Sequence, residues 1–124
     1  MDQRQQRNKR PLVLVVDDDP FVADVLVSLF QDEGYAVTTA NNGMSALHQI
    51  EQNPPDLVVA DIKMPRMDGI TLAQRIAARW DSIHVILMSA ADRPTSIDVP
   101  FIQKPFDLDD VLRAIESSDQ SSTN

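Results

Sequence analysis

"PLVLVVDDDPFVADVLVSLFQDEG", residues 11–34, is the stretch that decides the fold. Its first part, 11–16, is an unbroken apolar run rich in β-branched residues, which is typical of a strand covered on both faces. Asp19 before Pro20 predicts a helix start, because aspartate caps a helix and proline suits its first position. The glycine at position 34 predicts the helix end. The apolar residues between these limits recur at helical spacing: Phe21, Val25, Leu29 and Phe30. The stretch therefore predicts a strand followed by an amphipathic helix.

The same alternation of strand and helix continues to the end of the chain. Apolar runs predict four further strands, at 35–40, 56–61, 83–88 and 99–103. Helical spacing predicts three further helices, at 43–53, 68–80 and 107–118. Asn42 caps the first of these, with Met44, Leu47 and Ile50 along one face. The second has its predicted buried face at Ile70, Leu72, Ala73, Ile76 and Ala77, and Asp107 with Asp110 forms a capping box for the third. Strands alternating with helices indicate an α/β domain, a parallel sheet with helices on both faces.

Length and composition limit the class of protein. The chain has 124 residues, 43% of them hydrophobic, which suits one domain with a real core. It has no cysteine, which excludes disulfides and thiolate metal sites. No apolar run approaches the roughly 18 residues of a membrane span, and the N-terminus lacks the apolar stretch of a signal peptide. These features predict a soluble cytoplasmic protein with no membrane association.

Charge is distributed unevenly along the chain. Residues 1–10 contain four cations and one acid, while the formal net charge of the whole chain is −8. An acidic body without a broad basic face argues against direct binding of nucleic acid. We expect a basic N-terminal tail at 1–10, a folded domain at 11–118 and a polar C-terminal tail at 119–124.

Polar side chains stand at the carboxyl ends of four predicted strands. Asp17, Asp18 and Asp19 follow the first, and the third ends at Asp61. The fourth is followed by Ser89 and the fifth by Lys104. Ligands of open parallel sheets bind at these ends, so the residues are expected to converge.

The charges of this group indicate its chemistry. Close carboxylates repel one another unless a cation is present, and hard oxygen ligands select Mg²⁺ or Mn²⁺. A lysine and a hydroxyl beside a metal are suited to holding phosphoryl oxygens. No side chain stands out as a general base for water, which leaves a carboxylate nucleophile that accepts a phosphoryl group.

With these motifs the sequence resembles the receiver domain of two-component response regulators, from about Leu12 to Ser117. The resemblance rests on "VLVVDDDP", "DLVVADIKMPRMDG", "VILMSA" and "FIQKPF", which occur in order after correctly spaced strands. It implies a flavodoxin-like, doubly wound sheet of five parallel strands in the order 2-1-3-4-5. It also implies phosphorelay signalling, with a sensor histidine kinase or a histidine phosphotransfer protein as donor and a downstream protein as partner. A receiver is a phosphoacceptor signalling domain rather than an enzyme, although it promotes its own phosphotransfer and dephosphorylation.

The resemblance assigns a role to each residue at the predicted sheet edge. Asp61 is the phosphoacceptor and also belongs to the Mg²⁺ site. Asp18 binds the ion directly, Asp17 holds it mainly through water, and the backbone carbonyl of Lys63 supplies another oxygen. Ser89 hydrogen-bonds the phosphoryl group and moves towards it on activation. Lys104 pairs with the phosphoryl group, and the bond to Pro105 is expected to be cis.

Three residues also have simpler interpretations that the sequence leaves open. Asp19 suits helix capping as well as metal binding. The Lys63 side chain is either solvated or able to reach the phosphoryl group. Phe101 is either a rotameric switch or packing at the sheet edge, and any switch would be steric because phenylalanine lacks a hydroxyl.

Two other functions compete with a phosphorylated receiver. A haloacid-dehalogenase-like phosphohydrolase also uses an aspartate nucleophile with Mg²⁺, and Asp17 and Asp19 imitate its paired acids. The chain is short for that class, and the turn motif after Asp61 would have no purpose in it. A pseudo-receiver would act by docking alone, but it normally lacks one of the acids or the lysine.

The segment between Ser89 and Phe101 departs from the family. Receivers commonly place a fourth helix here, yet only residues 89–100 separate the two strands and Pro100 disfavours helix before it. We predict that this helix is absent or reduced to a turn. Exposed edges invite partners, so we expect an atypical homodimer or docking mode through the edge formed by the last strand and last helix. The chain is expected to be a stand-alone or excised receiver.

Overall fold

The computed structural model describes residues 10–95 and 97–123, with side chains as far as Ser117. Its strands are β1 (Leu12–Val16), β2 (Ala36–Ala40), β3 (Leu57–Asp61), β4 (His84–Ser89) and β5 (Phe101–Gln103). Its helices are α1 (Pro20–Asp32), α2 (Gly43–Gln52), α3 (Gly69–Arg79) and α4 (Leu108–Thr123). The predicted basic tail lies outside the described residues except for Arg10.

The five strands form one parallel sheet in the order β2-β1-β3-β4-β5. In its register Val16 lies beside both Ala40 and Ala60, and Asp61 lies beside Met88. The strand order reverses between β1 and β3, so the carboxyl ends of these two strands flank the crevice where doubly wound sheets bind ligands. The predicted strand order is confirmed.

Helices cover both faces of the sheet and divide the core into two clusters. On one face α2 and α3 contribute buried side chains, among them Ile50 and Ile76. On the other face α1 and α4 contribute Phe30 and Val111. The central strands β1 and β3 supply residues to both clusters, and β3 is buried along its whole length. This double burial explains why these strands lack polar alternation.

Helix α1 begins as predicted, and its predicted apolar face is correct for Leu29 and Phe30 but not for Phe21 and Val25. The Asp19 side chain accepts a hydrogen bond from the Phe21 amide, and Pro20 is the first helical residue. Gly34 follows the helix with φ of 96°, a conformation suited to glycine. The buried residues are Ala23, Leu26 and Phe30, whereas Phe21 is 82% and Val25 50% exposed. The prediction that Phe21 and Val25 share the apolar face is wrong, because the helix turns Ala23 and Leu26 towards the sheet.

The other predicted helix faces are partly correct. In α2, capped by Asn42, Ile50 is fully buried but Met44 is 53% exposed. Met44 lies in the first turn, where Gly43 rather than Met44 faces the interior. In α3, Leu72 and Ile76 are buried as predicted, whereas Ala77 is exposed. Alanine is small and apolar on either face, so its position in the pattern carried little information.

The last two elements differ from their predicted bounds. Strand β5 begins at Phe101, because Val99 belongs to the preceding loop and packs against the core. Helix α4 begins with the predicted capping box, in which Asp107 and Asp110 exchange backbone-to-carboxylate hydrogen bonds. It continues to Thr123, past the predicted end at Ser118. Serine, aspartate and glutamine have only moderate helix-propensity costs, so a polar composition alone does not end a helix.

The connection from β4 to β5 contains no helix among its described residues, 90–95 and 97–100. Ile97 and Val99 pack against the α2–α3 side of the core in place of a helix. The Arg93 guanidinium donates to the carbonyls of Val99 at 3.1 Å and Ile97 at 3.4 Å. The side-chain amide of Gln103 donates from Nε2 to Asp92 Oδ1 at 3.1 Å and connects the loop to β5. The predicted loss of this helix is confirmed.

None of the helices in the described part of the chain has the length and apolar character needed to cross a membrane.

Candidate functional site

Three carboxylates meet at the carboxyl ends of β1 and β3. Asp17 and Asp18 follow β1 directly, and Asp61 is the last residue of β3. One oxygen from each carboxylate lies within 4.8 Å of the others. Asp17 and Asp61 are buried and Asp18 is exposed, so two acids form the floor of the site and one its rim.

Lys104 joins the two buried acids. Its Nζ donates to Asp61 Oδ2 at 2.9 Å and to Asp17 Oδ2 at 3.2 Å. Burial lowers the pKa of Lys104, but the hydrogen bond with Asp61 and the charges of both acids raise it more, so its net pKa lies above the usual 10.5. The peptide bond from Lys104 to Pro105 is cis, as predicted.

Asp17 is the more enclosed of the two buried acids. Its side chain has no exposed surface, against 11% for that of Asp61. Burial raises the pKa of Asp17 above its usual value, and the Asp61 charge adds to this. The Asp19 amide, which donates to Asp17 Oδ1 at 2.9 Å, and Lys104 oppose the increase. The acid nearest Lys104 and still open to solvent is therefore Asp61.

The donor set fits a divalent hard cation. Three carboxylates supply oxygen ligands, which Mg²⁺ prefers, and one lysine offsets only part of their combined charge. A divalent cation would relieve the remaining repulsion among groups held this close. Asp18, being exposed, would leave part of the coordination shell to water, as Mg²⁺ usually requires.

The loop after β3 holds the Asp61 side chain from one side. The Lys63 amide donates to Asp61 Oδ1 at 3.2 Å, while the Lys63 side chain is exposed. Gly69, the first residue of α3, donates its amide to the Ile62 carbonyl at 2.8 Å. A Cβ at position 69 would collide with the Asp61 carbonyl oxygen. This close approach to Asp61 is the physical reason for a glycine at the start of α3.

Ser89 is buried and ends β4, directly after Met88, the register partner of Asp61. Its Oγ accepts a hydrogen bond from the Ala91 amide at 3.1 Å. In this arrangement the hydroxyl bonds to its own loop, and none of its described hydrogen bonds reaches Asp61 or Lys104.

The remaining predicted residues lie at the margin of the site. Asp19 caps α1 and does not belong to the group of three carboxylates. Phe101 is partly buried, packs against the α2–α3 side of the core and also lines a groove at the outer edge of β5. Sequence reasoning did not single out Arg93, since a loop arginine gives no sign that it replaces the bonds of a missing helix.

The site opens to solvent through a cleft between α1 and the β2–α2 loop. The cleft has a volume of about 460 Å³ and is lined by Asp17, Asp18, Asp24, Asn41 and Ser45, among others. A second opening on the other side of Asp18, of about 440 Å³, is lined by Lys63 and Asp68. Asp17 and Asp18 of the acid cluster therefore line openings to the surface.

Comparison with protein families gives one match over most of the chain. Residues 13–116 match the response regulator receiver domain. Sporulation initiation phosphotransferase F of Bacillus subtilis is 34% identical over 111 residues, which is 84% of this chain and 90% of that protein. Response regulator MprA of Mycobacterium leprae is 31% identical over 85% of this chain but only 49% of the relative. The chain thus spans about half the length of the mycobacterial relatives it matches.

Solved structures show the same fold. The response regulator TrrA from Thermotoga maritima, in complex with Mg²⁺ and BeF, superposes with a TM-score of 0.79 at 31% identity, covering 86% of this chain and 96% of that one. CheY in the CheX–CheY–BeF₃–Mg²⁺ complex from Borrelia burgdorferi gives 0.80 at 32% identity, covering 86% and 87%.

Proposed function

Because the chain belongs to the response regulator receiver domain family, we propose that Asp61 accepts a phosphoryl group from a phosphohistidine. The donor is a sensor histidine kinase or a histidine phosphotransfer protein. A carboxylate oxygen of Asp61 attacks phosphorus, the phosphorus–nitrogen bond breaks, and the bonding electrons remain on the imidazole. One observation carries the choice of nucleophile: the Asp61 carboxylate is partly open to solvent and bonded to Lys104, whereas that of Asp17 is enclosed.

Lys104 and Ser89 are suited to hold the transferred group. Lys104 Nζ, 2.9 Å from the nucleophile, would bond a phosphoryl oxygen and balance the added negative charge. Ser89 Oγ would turn from the Ala91 amide towards another phosphoryl oxygen. That movement would release the bond that the Ala91 amide donates to the Ser89 hydroxyl and pass the change through the β4–β5 loop to Phe101, our proposed steric switch.

The metal site belongs to the same proposal. Asp17, Asp18, Asp61 and the backbone carbonyl of Lys63 would hold Mg²⁺, and Mn²⁺ accepts the same oxygen ligands. The cation supplies charge neutralisation for the phosphoryl oxygens. Two solved relatives contain magnesium with a beryllofluoride, which supports this assignment by similarity.

Dephosphorylation and signalling complete the proposal. Water would reach Asp61 through the exposed 11% of its side chain and hydrolyse the acyl phosphate in a reaction that the domain itself promotes. The Lys63 side chain, which lines an opening beside Asp18, would influence it. Phosphorylation would switch contacts with a downstream protein in the cytoplasm. The atypical homodimer or docking mode through the β5–α4 edge stays a prediction, and mass measurement in solution distinguishes the two.

Labelling experiments test the proposal directly. Wild-type protein, Asp61→Asn and Asp17→Asn would be incubated with acetyl phosphate and Mg²⁺, and the acyl phosphate mapped by mass spectrometry. We expect label on Asp61, none in Asp61→Asn, and no label without divalent cation. Transfer from phosphorylated histidine kinases would then identify the donor.

The same labelling distinguishes the two competing functions. Label on Asp17 would indicate a phosphohydrolase of the haloacid dehalogenase kind. Equal, negligible labelling of wild type and Asp61→Asn would indicate a docking module. Either result would overturn phosphoryl transfer to Asp61.

A further inference from the structure

The outer edge of β5 has free backbone groups. The Leu87 amide donates to the Pro100 carbonyl, and the Lys104 amide donates to the Ser89 carbonyl. Residues 100 and 104 therefore direct these backbone groups towards β4. Because backbone directions alternate along a strand, the N–H and C=O groups of Ile102 also face β4. Phe101 and Gln103 point theirs away from the sheet, where no further strand lies within the described part of the chain.

A groove runs along this free edge. Its volume is about 590 Å³, and its walls are the β4–β5 loop, represented by Arg93, and helix α4, represented by Asp110, Arg113 and Ser117. The loop wall contains no helix among its described residues, 90–95 and 97–100. The space is of the size of a typical ligand pocket and gives access to both outward amides.

The charge of the groove is opposite to that of the molecule. Arg93, Lys104 and Arg113 line it against one acid, Asp110, although the whole chain has a net charge of −8. Lys104 is engaged by Asp17 and Asp61. Arg93 on the loop wall donates to the Val99 and Ile97 carbonyls, which carry no net charge, so its positive charge is not neutralised there. The Arg113 side chain is 68% exposed and paired only with Asp110 at its own helix, an exposed pair of small strength.

We propose that the β5 edge binds an extended acidic segment of a partner protein as a sixth strand. Backbone groups of the segment pair with the amides and carbonyls of Phe101 and Gln103, as in other cases of strand addition. Successive side chains of a strand point to opposite faces. Two consecutive acidic residues would therefore meet Arg93 on the loop wall and Arg113 on the helix wall.

Charge favours this partner over a second copy of the chain. Pairing two identical edges would place arginines against arginines and bring together two bodies of net charge −8. An acidic segment is attracted to the same surface. Specificity comes from the consecutive acids, because acids two positions apart would lie on one wall only.

The test uses a defined peptide and does not require phosphorylation, so its outcome is independent of the proposed function. The probe is a capped six-residue peptide with two consecutive glutamates between valine and threonine residues, titrated into the full chain labelled with ¹⁵N. We expect the amide signals of Phe101 and Gln103 to shift strongly and that of Ile102 much less. A matched peptide with glutamines in place of the glutamates keeps the strand pairing and removes the charge. A second control, in which alternate backbone amides are N-methylated, removes the pairing and keeps the charge.

Variants assign the charges. Arg113→Gln should weaken binding of the glutamate peptide roughly two- to fivefold, the range of an exposed ion pair. Arg93→Gln should weaken it similarly if the loop keeps its fold. Arg79→Gln, another exposed arginine in an ion pair, should have no effect. Equal binding of the N-methylated peptide, or the absence of any shift at millimolar peptide, would overturn the proposal. Concentration-dependent shifts of Phe101 and Gln103 without peptide would overturn it in favour of a second copy.

Discussion

Lys104 Nζ lies 2.9 Å from an Asp61 carboxylate oxygen, although 43 positions separate the two residues in the chain. The same nitrogen contacts Asp17, 87 positions away. Parallel pairing brings them together, because β1, β3 and β5 all end at one edge of the sheet. The lysine provides the positive charge that keeps two buried carboxylates compatible with a folded domain.

Replacing Lys104 should reduce stability in a pH-dependent way. In chelator, Lys104→Gln should lower the free energy of unfolding by about 1–3 kcal/mol, less than for a fully buried pair because the lysine is partly exposed. The pKa of Lys104 is raised above 10.5 in the folded state. Its contribution is therefore fully present below about pH 10.5 and is lost as pH rises through the folded pKa.

Denaturant titrations of wild type and Lys104→Gln from pH 8 to pH 11.5 measure this difference. The gap between the two proteins should be constant at first and then close. A gap that widens above pH 10.5 would contradict the assigned direction of the shift.

Removing a carboxylate from the cluster should stabilise the metal-free protein. Asp18→Asn relieves repulsion among three acids within 4.8 Å of one another, and we expect a rise in Tm of a few degrees, about 2–5 °C. Addition of Mg²⁺ should raise the Tm of wild type by ligand linkage and that of Asp18→Asn much less. Differential scanning calorimetry with and without Mg²⁺ measures both effects, and Asp81→Asn, outside the cluster, is the control.

Gly69 should tolerate no side chain. Gly69→Ala places a Cβ against the Asp61 carbonyl oxygen, where relief requires backbone movement, so a loss of about 1–3 kcal/mol is expected. At Gly43→Ala the nearest atoms are Cβ, Cγ and Sδ of Met67 at 3.0–3.1 Å, a less severe approach to side-chain rather than backbone atoms, and this change should cost less. Urea denaturation compares the two, and an equal cost would argue against a special approach at Asp61.

Truncating the two phenylalanines of α1 should change the free energy of unfolding by very different amounts. Phe30 is fully buried and Phe21 is 82% exposed. Phe30→Ala should therefore cost about 3–5 kcal/mol, whereas Phe21→Ser should change stability by less than about 0.5 kcal/mol. Thermal unfolding followed by circular dichroism gives both values, and a large loss for Phe21→Ser would contradict the exposed position.

The sheet and the cluster of acids were predictable because they follow from strand polarity. Once β1 and β3 are recognised as parallel, Asp17 and Asp61 must reach the same edge, whatever the packing details. Helix faces were less predictable. Val25 and Leu26 are adjacent and both apolar, and only the angle at which α1 packs on the sheet determines that Leu26 is buried.

The hydrogen bonds that hold the β4–β5 loop could not be predicted from the local sequence pattern. The short length of the loop and Pro100 excluded a helix. The contacts that hold the loop instead come from long side chains, whose hydrogen-bond partners lie several residues away. Arg93 reaches two carbonyls, and Gln103 reaches back across the loop to Asp92. Nothing in the sequence distinguishes Arg93 and Gln103 from ordinary exposed polar residues.

Holding this loop by side chains rather than by helical backbone bonds has an evolutionary consequence. A helix must be gained or lost as a cooperative unit, whereas contacts from Arg93 and Gln103 can change one substitution at a time. Residues 90–100 can therefore diverge stepwise while Asp61 and its neighbours stay fixed. The proposed docking surface is therefore free to change separately from the cluster of acids.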